Sequence, residues 1–375
     1  MNAPNEETQA PDLLYSETEE DLRAAVRALL ADRSDAPTVL ARVESGTPYD
    51  PLLWKALAAD MGTAGLLVPE ELGGQGASHR EAAVVLEELG RAVTPSPYLT
   101  SAVVATETLL ALAPDGPVAA LLAELAEGRR TAVLAVPFAA PAPDAAQPAG
   151  VVAGRVTGAV TGVADADTAD VLLVPTTDGL YAVGTGAEGV AVQPLVPLDL
   201  TRPLATVTLA GAAGTRLADG ASAVAAVRRG LLAGAGLLAS EQLGLAEWCL
   251  TETVRHTRER HQFNRPVGSF QALKHRMAQL WLEVVSARAA ARSAADALAT
   301  GSPDAPLAVA VAQAYCSGVA VHAAEECVQL HGGIGMTWEH PAHLYLKRAK
   351  ADSIAYGTAG QHRGTIAELM ELPAP

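Results

Sequence analysis

The chain has 375 residues, enough for two or three subdomains, and half of these residues are apolar. Its formal net charge of −16, from 26 basic and 42 acidic residues, excludes the broadly basic surface that binds nucleic acid or an anionic membrane. A small anionic ligand is still compatible with this charge, because it needs only a local cluster of cations.

Residues 1–128 are predicted to form an N-terminal helical domain. Ser16 is a suitable N-cap for a helix whose apolar positions, Val26 and Leu30 among them, recur at helical spacing. The stretch 68–76 contains Pro69 and three glycines, so we expect it to be a break between two helices.

Residues 129–225 change in character and predict a β domain. Cations are scarce here, and short runs rich in valine, leucine and threonine are bounded by glycine, proline and aspartate. This pattern is typical of strands joined by turns. The predicted strands are 131–137, 169–175, 180–184, 190–194 and 205–210.

Residues 226–375 return to helical spacing and predict a C-terminal four-helix bundle. Three long segments, 227–256, 272–300 and 305–330, carry apolar stripes that can bury against one another. The order of helical, β and helical regions predicts the α+β fold class.

The cysteines and the N-terminal residues bear on where the protein works. Cys249, Cys316 and Cys327 have no Cys-x-x-Cys spacing and lie in helical segments, so we expect buried free thiols in a reducing compartment. The first residues lack the features of a signal peptide, and no apolar run reaches the roughly 18 residues of a membrane span. We therefore expect a cytoplasmic protein with no membrane and no nucleic-acid partner.

A basic segment is the first candidate binding site. Six of the 26 cations fall within residues 255–276, where a turn precedes a helix. Arginine matches the geometry of phosphate oxygens, and the N-terminus of a helix offers free N–H groups. The segment is compatible with a pyrophosphate ligand and equally with an ordinary solvated basic face.

Two further segments follow near the C-terminus. Gly332 and Gly333 come directly after a long predicted helix, where they can serve as its C-cap or let a ligand approach the backbone closely. His340 and His343 are three residues apart, but no framework of glutamate or cysteine accompanies them in the sequence. We therefore expect no metal site from this pair.

Taken together, these segments resemble the acyl-CoA dehydrogenase family. The matching stretches are RHQFNRPVGSFQALKHR at 260–276, QLHGGIGM at 329–336, and YLKRAKAD with YGT at 345–358. PEELGGQG at 69–76 and LEELGR at 86–91 match the N-terminal helical domain of that family. The resemblance covers most of the chain and implies the same helical, β, helical order as the residue pattern.

The resemblance implies an FAD cofactor and an acyl thioester substrate. Family members oxidise acyl-CoA to the α,β-enoyl form, and the ADP end of their FAD is held across a subunit interface. Gln329, Gly332 and Gly333 would approach the FAD of the neighbouring subunit. The residues assigned to the FAD in this way are Arg260, Phe263, Gln271, Gln329, Gly332, Gly333 and Thr358.

The resemblance also implies partners. Family members are dimers or tetramers, and they pass their electrons to an acceptor such as electron-transfer flavoprotein. We therefore expect a homo- or hetero-oligomer that binds acyl-CoA, or an acyl group on a carrier protein. The identity of the acyl group does not follow from the sequence, although small residues along 231–240 would suit a bulky one.

The catalytic base of the family is missing from both of its usual positions. Removal of the α proton requires a carboxylate, which most members carry directly before Gly-Thr and others carry at the start of the long helix. Here those positions hold Tyr356 and Gly234. The backbone N–H of Tyr356 is still expected to hold the thioester carbonyl, and its phenol is either a pocket wall or a weak acid or base.

One carboxylate is the leading candidate for the missing base. Glu241 lies seven residues after Gly234 on the same helix, hence on the same face and about 10 Å further along. Glu247 is the second candidate, and the remaining alternatives are a base from a partner chain or no base at all. The alternative for Glu241 is a structural carboxylate that is hydrogen-bonded inside the bundle.

The β domain also departs from the family pattern. The strand and loop that flank the flavin in other members correspond here to 136–141 and, less closely, to 162–164, and the usual side chains are absent. The competing functions are therefore a conventional dehydrogenase, a base-deficient subunit of a heteromer like those that act on sterol side chains, and a flavin monooxygenase. A scaffold protein is disfavoured by the FAD-type motifs.

Overall fold

The computed structural model describes residues 13–141 and 149–373, and its order of helical, β and helical regions confirms the predicted fold class. The N-terminal region is a set of helices joined by short turns. Its α-helices are α1 (Glu17–Arg33), α2 (Ala36–Ser45), α3 (Pro51–Lys55), α4 (His79–Arg91), α5 (Thr106–Leu110) and α6 (Gly116–Ala126). π-Helical segments at Ala56–Asp60 and Tyr98–Ala105 continue α3 and lead into α5.

Side-chain caps explain where two of these helices begin. The Glu19 N–H donates to Ser16 Oγ at 3.2 Å, and the Ser16 N–H donates to Glu19 Oε2 at 2.6 Å. This reciprocal pair is a capping box, which satisfies two donors at the end of the helix. Ser78 and Glu81 make the same pair at the start of α4. The predicted cap at Ser16 is confirmed.

Two four-stranded sheets form the middle region. Its strands are β1 (Ala132–Leu134), β2 (Gly150–Val152), β3 (Arg155–Ala164), β4 (Val171–Thr176), β5 (Gly179–Gly184), β6 (Val190–Pro194), β7 (Leu204–Ala212) and β8 (Thr215–Asp219). One sheet has the order β1-β4-β5-β8, and the other has the order β2-β3-β7-β6. Val133, Leu172 and Val207 are among the buried side chains of their shared core.

Five of these strands, β1 and β4 to β7, coincide with predicted runs, and β2, β3 and β8 were missed. In β3, Gly158 and Gly162 interrupt the valine-rich pattern. Gly162 has a φ of 79°, and the register with β7 shifts beside it. A β-bulge of this kind places an extra residue in one strand and hides the alternation on which a sequence-based prediction depends.

The C-terminal region is a helical bundle. It contains α7 (Gly220–Glu259), α8 (Gln271–Ala299), α9 (Ala305–His331), α10 (Ala342–Asp352) and α11 (Ala359–Leu369), with a two-stranded hairpin of β9 (His261–Gln262) and β10 (Arg265–Pro266). Helices α7, α8 and α9 pack against one another, and α10 and α11 pack on α9. Helix α7 starts directly after β8, ahead of the predicted domain boundary at residue 226.

Helices α7 and α9 are long and apolar enough to cross a membrane by length and composition alone. In α7, 61% of the apolar stretch of 18 residues is buried inside the molecule. In the longer helical segment Ala305–Met336, which begins with α9, the buried share of such a stretch is 56%. Their apolar side chains pack into the bundle core, which accounts for their composition.

Helices α4 and α7 cross at unusually short range, because each places a glycine against the backbone of the other. A Cβ atom on Gly244 would lie 1.9 Å from the carbonyl oxygen of Glu87, and one on Gly90 would lie 2.1 Å from that of Glu241. Only a residue without a side chain fits at such a contact. The crossing fixes where α7 lies beneath the N-terminal region.

We expect Gly244→Ala to lower the free energy of unfolding by about 1–3 kcal/mol, because the added methyl group must push the two helices apart. Chemical denaturation of the variant and the wild type measures this difference. The matched control is Gly318→Ala in α9, where an added Cβ meets no atom within 4 Å. The control should be neutral or stabilising by up to about 1 kcal/mol, and an equal loss in both variants would contradict the close crossing.

Candidate active site

The two positions where the resemblance expects a catalytic carboxylate lie against each other. Gly234 is in the first half of α7, and Tyr356 follows the end of α10. A Cβ atom on Gly234 would lie 3.3 Å from Cε2 and Cζ of the Tyr356 ring. Cγ2 of Val104 would lie closer still, at 2.6 Å. The ring and Val104 together therefore occupy the space into which a side chain at residue 234 would project, and neither position 234 nor position 356 supplies a carboxylate.

Phe138 closes the same site from the β domain. The N–H of Tyr356 donates to the carbonyl oxygen of Phe138 at 2.8 Å, so the donor expected to hold a thioester carbonyl is already occupied. The two rings meet edge to face with centroids 5.2 Å apart. The cavity left here is about 10 Å³, room for about one water molecule. It is lined by Thr100, Val104, Val133, Leu134, Val136, Phe138, Ala164 and Tyr356.

The phenol of Tyr356 is kept neutral. Burial raises its pKa well above the usual range, and the nearby carboxylates of Asp165 and Glu241 add to the rise while Arg202 opposes it. A neutral phenol is a poor base for the α proton of a thioester. The catalytic role of Tyr356 stays a prediction, and the arrangement favours its interpretation as a pocket wall.

Glu241 is the centre of a buried cluster of charges. Its Oε1 accepts hydrogen bonds from Arg202 Nη2 and Arg348 Nη1, each at 2.5 Å, and all three side chains are at most 4% exposed. Burial acts to raise the pKa of Glu241, but the two guanidinium groups outweigh it and hold the pKa below the usual range.

A carboxylate stabilised as an anion in this way is a weak proton acceptor. Glu241 also does not line the cavity beside Tyr356. These observations favour the structural interpretation of Glu241, whereas its role as the base stays a prediction. Glu247, the second candidate, is likewise paired, since Arg288 donates to its Oε1 at 2.5 and 3.0 Å.

The cluster around Glu241 joins the β domain to the helical bundle. Arg348 Nε donates to Asp199 Oδ2 at 2.5 Å, and Arg202 Nε lies 3.8 Å from Asp352 Oδ1. Asp199 and Arg202 precede β7, whereas the other members belong to α7 and α10. The sequence prediction did not single out Arg202, because the chain carries other arginines in residues 129–225 and nothing local marks Arg202 as the buried one.

Asp165 lies at the edge of the closed cavity, directly after β3. Thr100 Oγ1 donates to its Oδ2 at 2.6 Å, and the hydroxyl of Tyr49 donates to its Oδ1. Burial raises the pKa of Asp165 to about 6, although Arg202 and these hydroxyl groups favour the anion. The folded protein therefore binds this proton more tightly than the unfolded chain does.

A raised pKa in the folded state means that Asp165 contributes stability at acid pH and that this contribution is lost as pH rises through about 6. We expect the stability of Asp165→Asn relative to wild type to increase by up to about 3 kcal/mol between about pH 4 and pH 7. Urea denaturation of both proteins across that range measures the change. If the stability difference between the two proteins does not change with pH, the Asp165 carboxyl group does not titrate between about pH 4 and pH 7.

A second and larger cavity of about 570 Å³ lies where the C-terminal ends of α7 and α9 meet. Its lining comprises His256, Arg260, Val267, Leu273, Arg276, Gln329, Leu330, His331, Gly332, Gly333 and Ile334. The structure thus brings together four of the residues predicted to bind FAD, namely Arg260, Gln329, Gly332 and Gly333. The sequence prediction missed His256 and Arg276 as lining residues.

The chemistry of this larger cavity suits an anionic ligand. Arg260 is exposed and has no carboxylate partner within the described ranges, whereas Arg276 is held by Glu326 at 2.6 and 2.7 Å. Gly332 ends α9 with a φ of 65°, which favours glycine. A Cβ on Gly332 or Gly333 would meet no atom within 4 Å, so the backbone is open to a ligand. Free arginine beside open backbone fits a diphosphate.

The other three predicted cofactor residues do not line this cavity. Gln271 is the exposed first residue of α8, and Phe263 is 86% exposed at the turn of the β9–β10 hairpin. Thr358 lies near Tyr356 instead, where its Oγ1 accepts the N–H of Gln361 and caps α11. Their roles stay predictions.

Comparison with known proteins gives matches at both ends of the chain. Residues 16–129 match the family model described as the N-terminal domain of acyl-CoA dehydrogenase, and residues 223–371 match the model of its C-terminal domain. The acyl-CoA dehydrogenase IpdE2 of Mycolicibacterium smegmatis is 37% identical over 345 residues, which cover 91% of this chain and 95% of that protein.

Solved structures also match nearly the whole chain. The ChsE4–ChsE5 complex of Mycobacterium tuberculosis contains a chain that superposes with a TM-score of 0.84 at 28% identity, covering 97% of this chain and 100% of that one. A variant of the Tcur3481–Tcur3483 steroid ACAD superposes with a TM-score of 0.84 at 27% identity, covering 95% of this chain and 98% of that one.

Proposed function

Because the chain belongs to the acyl-CoA dehydrogenase family, we propose that it takes part in the FAD-dependent α,β-desaturation of an acyl-CoA as a heteromer subunit that lacks a catalytic base. The observation that carries this proposal is the contact between Tyr356 and Gly234. Both positions where the family carries its base are without a carboxylate, and the space between them is filled.

The two ends of an FAD fit this chain differently. The cavity around Arg260 has the volume, the free arginine and the open glycine backbone that an ADP group requires. The cavity beside Tyr356 is about 10 Å³ and has no room for a flavin ring. We propose that Arg260 and Gln329 bind the ADP end of an FAD whose ring, the hydride acceptor, is held by a partner chain.

The hairpin that follows α7 supports an interface at this end of the molecule. Phe263 is 86% exposed, and its φ of 53° is in the left-handed region, which is unfavourable for an aromatic residue. Neither feature stabilises the isolated chain. Both are explained if a partner subunit or its FAD covers the ring, as the resemblance implies for this position.

The relatives indicate the kind of partner and substrate. ChsE4–ChsE5 is a complex of two different chains, and Tcur3481–Tcur3483 is called a steroid ACAD. We accordingly propose a paralogous chain with an intact base as the partner and a bulky acyl-CoA, such as one on a steroid ring system, as the substrate. Electron-transfer flavoprotein or a similar protein would reoxidise the flavin.

Glu241→Gln separates this proposal from a conventional homomeric dehydrogenase. If Glu241 only holds Arg202 and Arg348 in place, the folded assembly should keep its kcat, although its melting temperature should fall because a buried charge pair is weakened. Loss of turnover with full FAD content would instead identify Glu241 as the base. The matched control is the Glu→Gln change at the base of the partner, which should abolish turnover.

Co-expression with candidate paralogues tests the proposed function itself. We expect a stable complex that contains one FAD for each pair of chains, because only the partner offers a flavin-ring site. The FAD content and the chain ratio of the purified complex measure this. Two results would contradict the proposal: a complex with two FAD molecules for each pair of different chains, or a homomer of this chain with one FAD molecule for each chain.

A further inference from the structure

Three potential metal ligands from distant parts of the sequence meet beside the larger cavity. Glu252 belongs to α7, His331 is the last residue of α9, and His340 lies just before α10. Their ligand atoms all lie within 4.8 Å of one another. Glu252 Oε1 is 3.8 Å from His331 Nε2 and 3.7 Å from His340 Nε2.

His331 is already oriented as a ligand. Its Nδ1 lies 2.6 Å from the carbonyl oxygen of Cys327, which can only accept, so Nδ1 carries a proton and, in the neutral ring, the lone pair is on Nε2. This Nε2 has no hydrogen-bond partner, and the His331 side chain is 0% exposed. A buried polar atom without a partner is unfavourable. Metal-binding histidines characteristically donate their other N–H to a carbonyl in this way.

We propose that Glu252, His331 and His340 form a binding site for a divalent transition-metal ion, with Zn²⁺ as the best match to their donor atoms. Two imidazole nitrogens and one carboxylate oxygen are a donor set typical of zinc sites that keep a fourth position open. Tetrahedral zinc with bonds of about 2.0–2.1 Å would place its ligand atoms about 3.3 Å apart. The two Glu252 distances need to contract by about 0.5 Å. The two histidine nitrogens, which lie within 4.8 Å of each other, need to approach by up to about 1.5 Å, which a rotation of the His340 ring can supply.

Two present contacts must adjust when the ion binds. Arg255 holds the Glu252 carboxylate through Nε at 2.9 Å and through Nη2, and it would then share that carboxylate with the metal. The N–H of Ala342 donates to His340 Nδ1 at 3.2 Å. Coordination through Nε2 puts the ring proton on Nδ1, so this long hydrogen bond has to open.

The sequence drew attention to His340 and His343 as a pair, but in the structure His340 pairs with His331 instead. His343 packs edge to face on Trp338 at 4.7 Å, whereas the ring of His340 lies 4.2 Å from the ring of His331. The ion would tie the ends of α7 and α9 to the start of α10, at one wall of the cavity that Arg260 also lines. This inference depends only on these side chains and not on the proposed function.

Titration of the untagged, chelator-treated full chain with Co²⁺ tests the site. We expect one Co²⁺ for each chain, with visible ligand-field bands, and displacement of it by Zn²⁺. Glu252→Gln and His340→Gln should each weaken binding by about tenfold or more. His275→Gln, which removes an exposed imidazole elsewhere, should bind as the wild type does. The two ligand variants change different residues, so if one of them fails to fold, the Co²⁺ affinity of the other still tests the site.

Three results would overturn the proposal. The first is a wild-type chain that binds no Co²⁺. The second is equal affinity in the wild type and both ligand variants, which would place the ion elsewhere. The third is a strong thiolate-to-cobalt charge-transfer band, which would assign the ion to Cys249 and Cys327, the buried thiols that also lie in this part of the bundle.

Discussion

Arg348→Met is expected to lower the free energy of unfolding by about 3–5 kcal/mol, enough to unfold a domain of ordinary stability. The guanidinium of Arg348 is 2% exposed and contacts Asp199 and Glu241 directly. Methionine has a similar length but leaves both carboxylates buried with one cation fewer. Urea denaturation followed by circular dichroism measures the loss, or the variant fails to accumulate as soluble protein.

Two further variants separate this explanation from simple loss of packing. Lys350→Met, on the same helix, removes an exposed pair with Glu325 and should cost less than about 1 kcal/mol. Adding Asp199→Asn and Glu241→Gln to Arg348→Met should recover part of the lost stability, since no uncompensated carboxylate is then left at these positions. If the triple variant is no more stable than the single one, uncompensated charge is not the cause.

Arg260→Ala is expected to weaken the binding of ADP to the chain by about 10- to 100-fold. Arg260 lines the larger cavity, and no carboxylate among the described residues neutralises its charge. A hydrogen bond between a guanidinium and a phosphate contributes about 1.5–3 kcal/mol. ADP is the appropriate probe because it is the part of FAD that this chain is proposed to hold. Isothermal titration calorimetry gives the dissociation constant.

The matched control is Arg258→Ala, two residues earlier, which removes an exposed arginine that does not line the cavity. It should lower ADP affinity only slightly, through the general field of the surface, and high salt should remove that effect. Equal losses in both variants would mean that ADP binds to a diffuse basic face. This was the alternative that the sequence left open for residues 255–276.

Much of the fold could be predicted from the sequence, because its signals are local. Ser16 and the helical spacing after it identify α1, and valine-rich runs between turn residues identify β4 to β7. The prediction was wrong where local signals conflict with the structure. Gly158 and Gly162 disguise β3, and β8 presents too few apolar residues to stand out.

The candidate site was predictable only in part, for a physical reason. The family resemblance assigned Arg260, Gln329, Gly332 and Gly333 to FAD, and the structure places these four residues around one cavity. The missing base at Gly234 and Tyr356 was also visible in the sequence. What the sequence could not show is contact between distant residues: Phe138 against Tyr356, and Arg202 and Arg348 on Glu241. Those contacts favour the structural interpretation of Glu241 over the catalytic one.

The central claim is that this chain presents an ADP site but cannot itself desaturate an acyl-CoA. The most direct test is the anaerobic addition of acyl-CoA thioesters, including steroid side-chain thioesters, to the purified chain supplied with FAD. We expect the flavin absorbance to stay unchanged with the chain alone and to bleach when the catalytic partner is present. Bleaching of flavin by the chain alone would contradict the account, because it would require a base and a flavin-ring site within this chain.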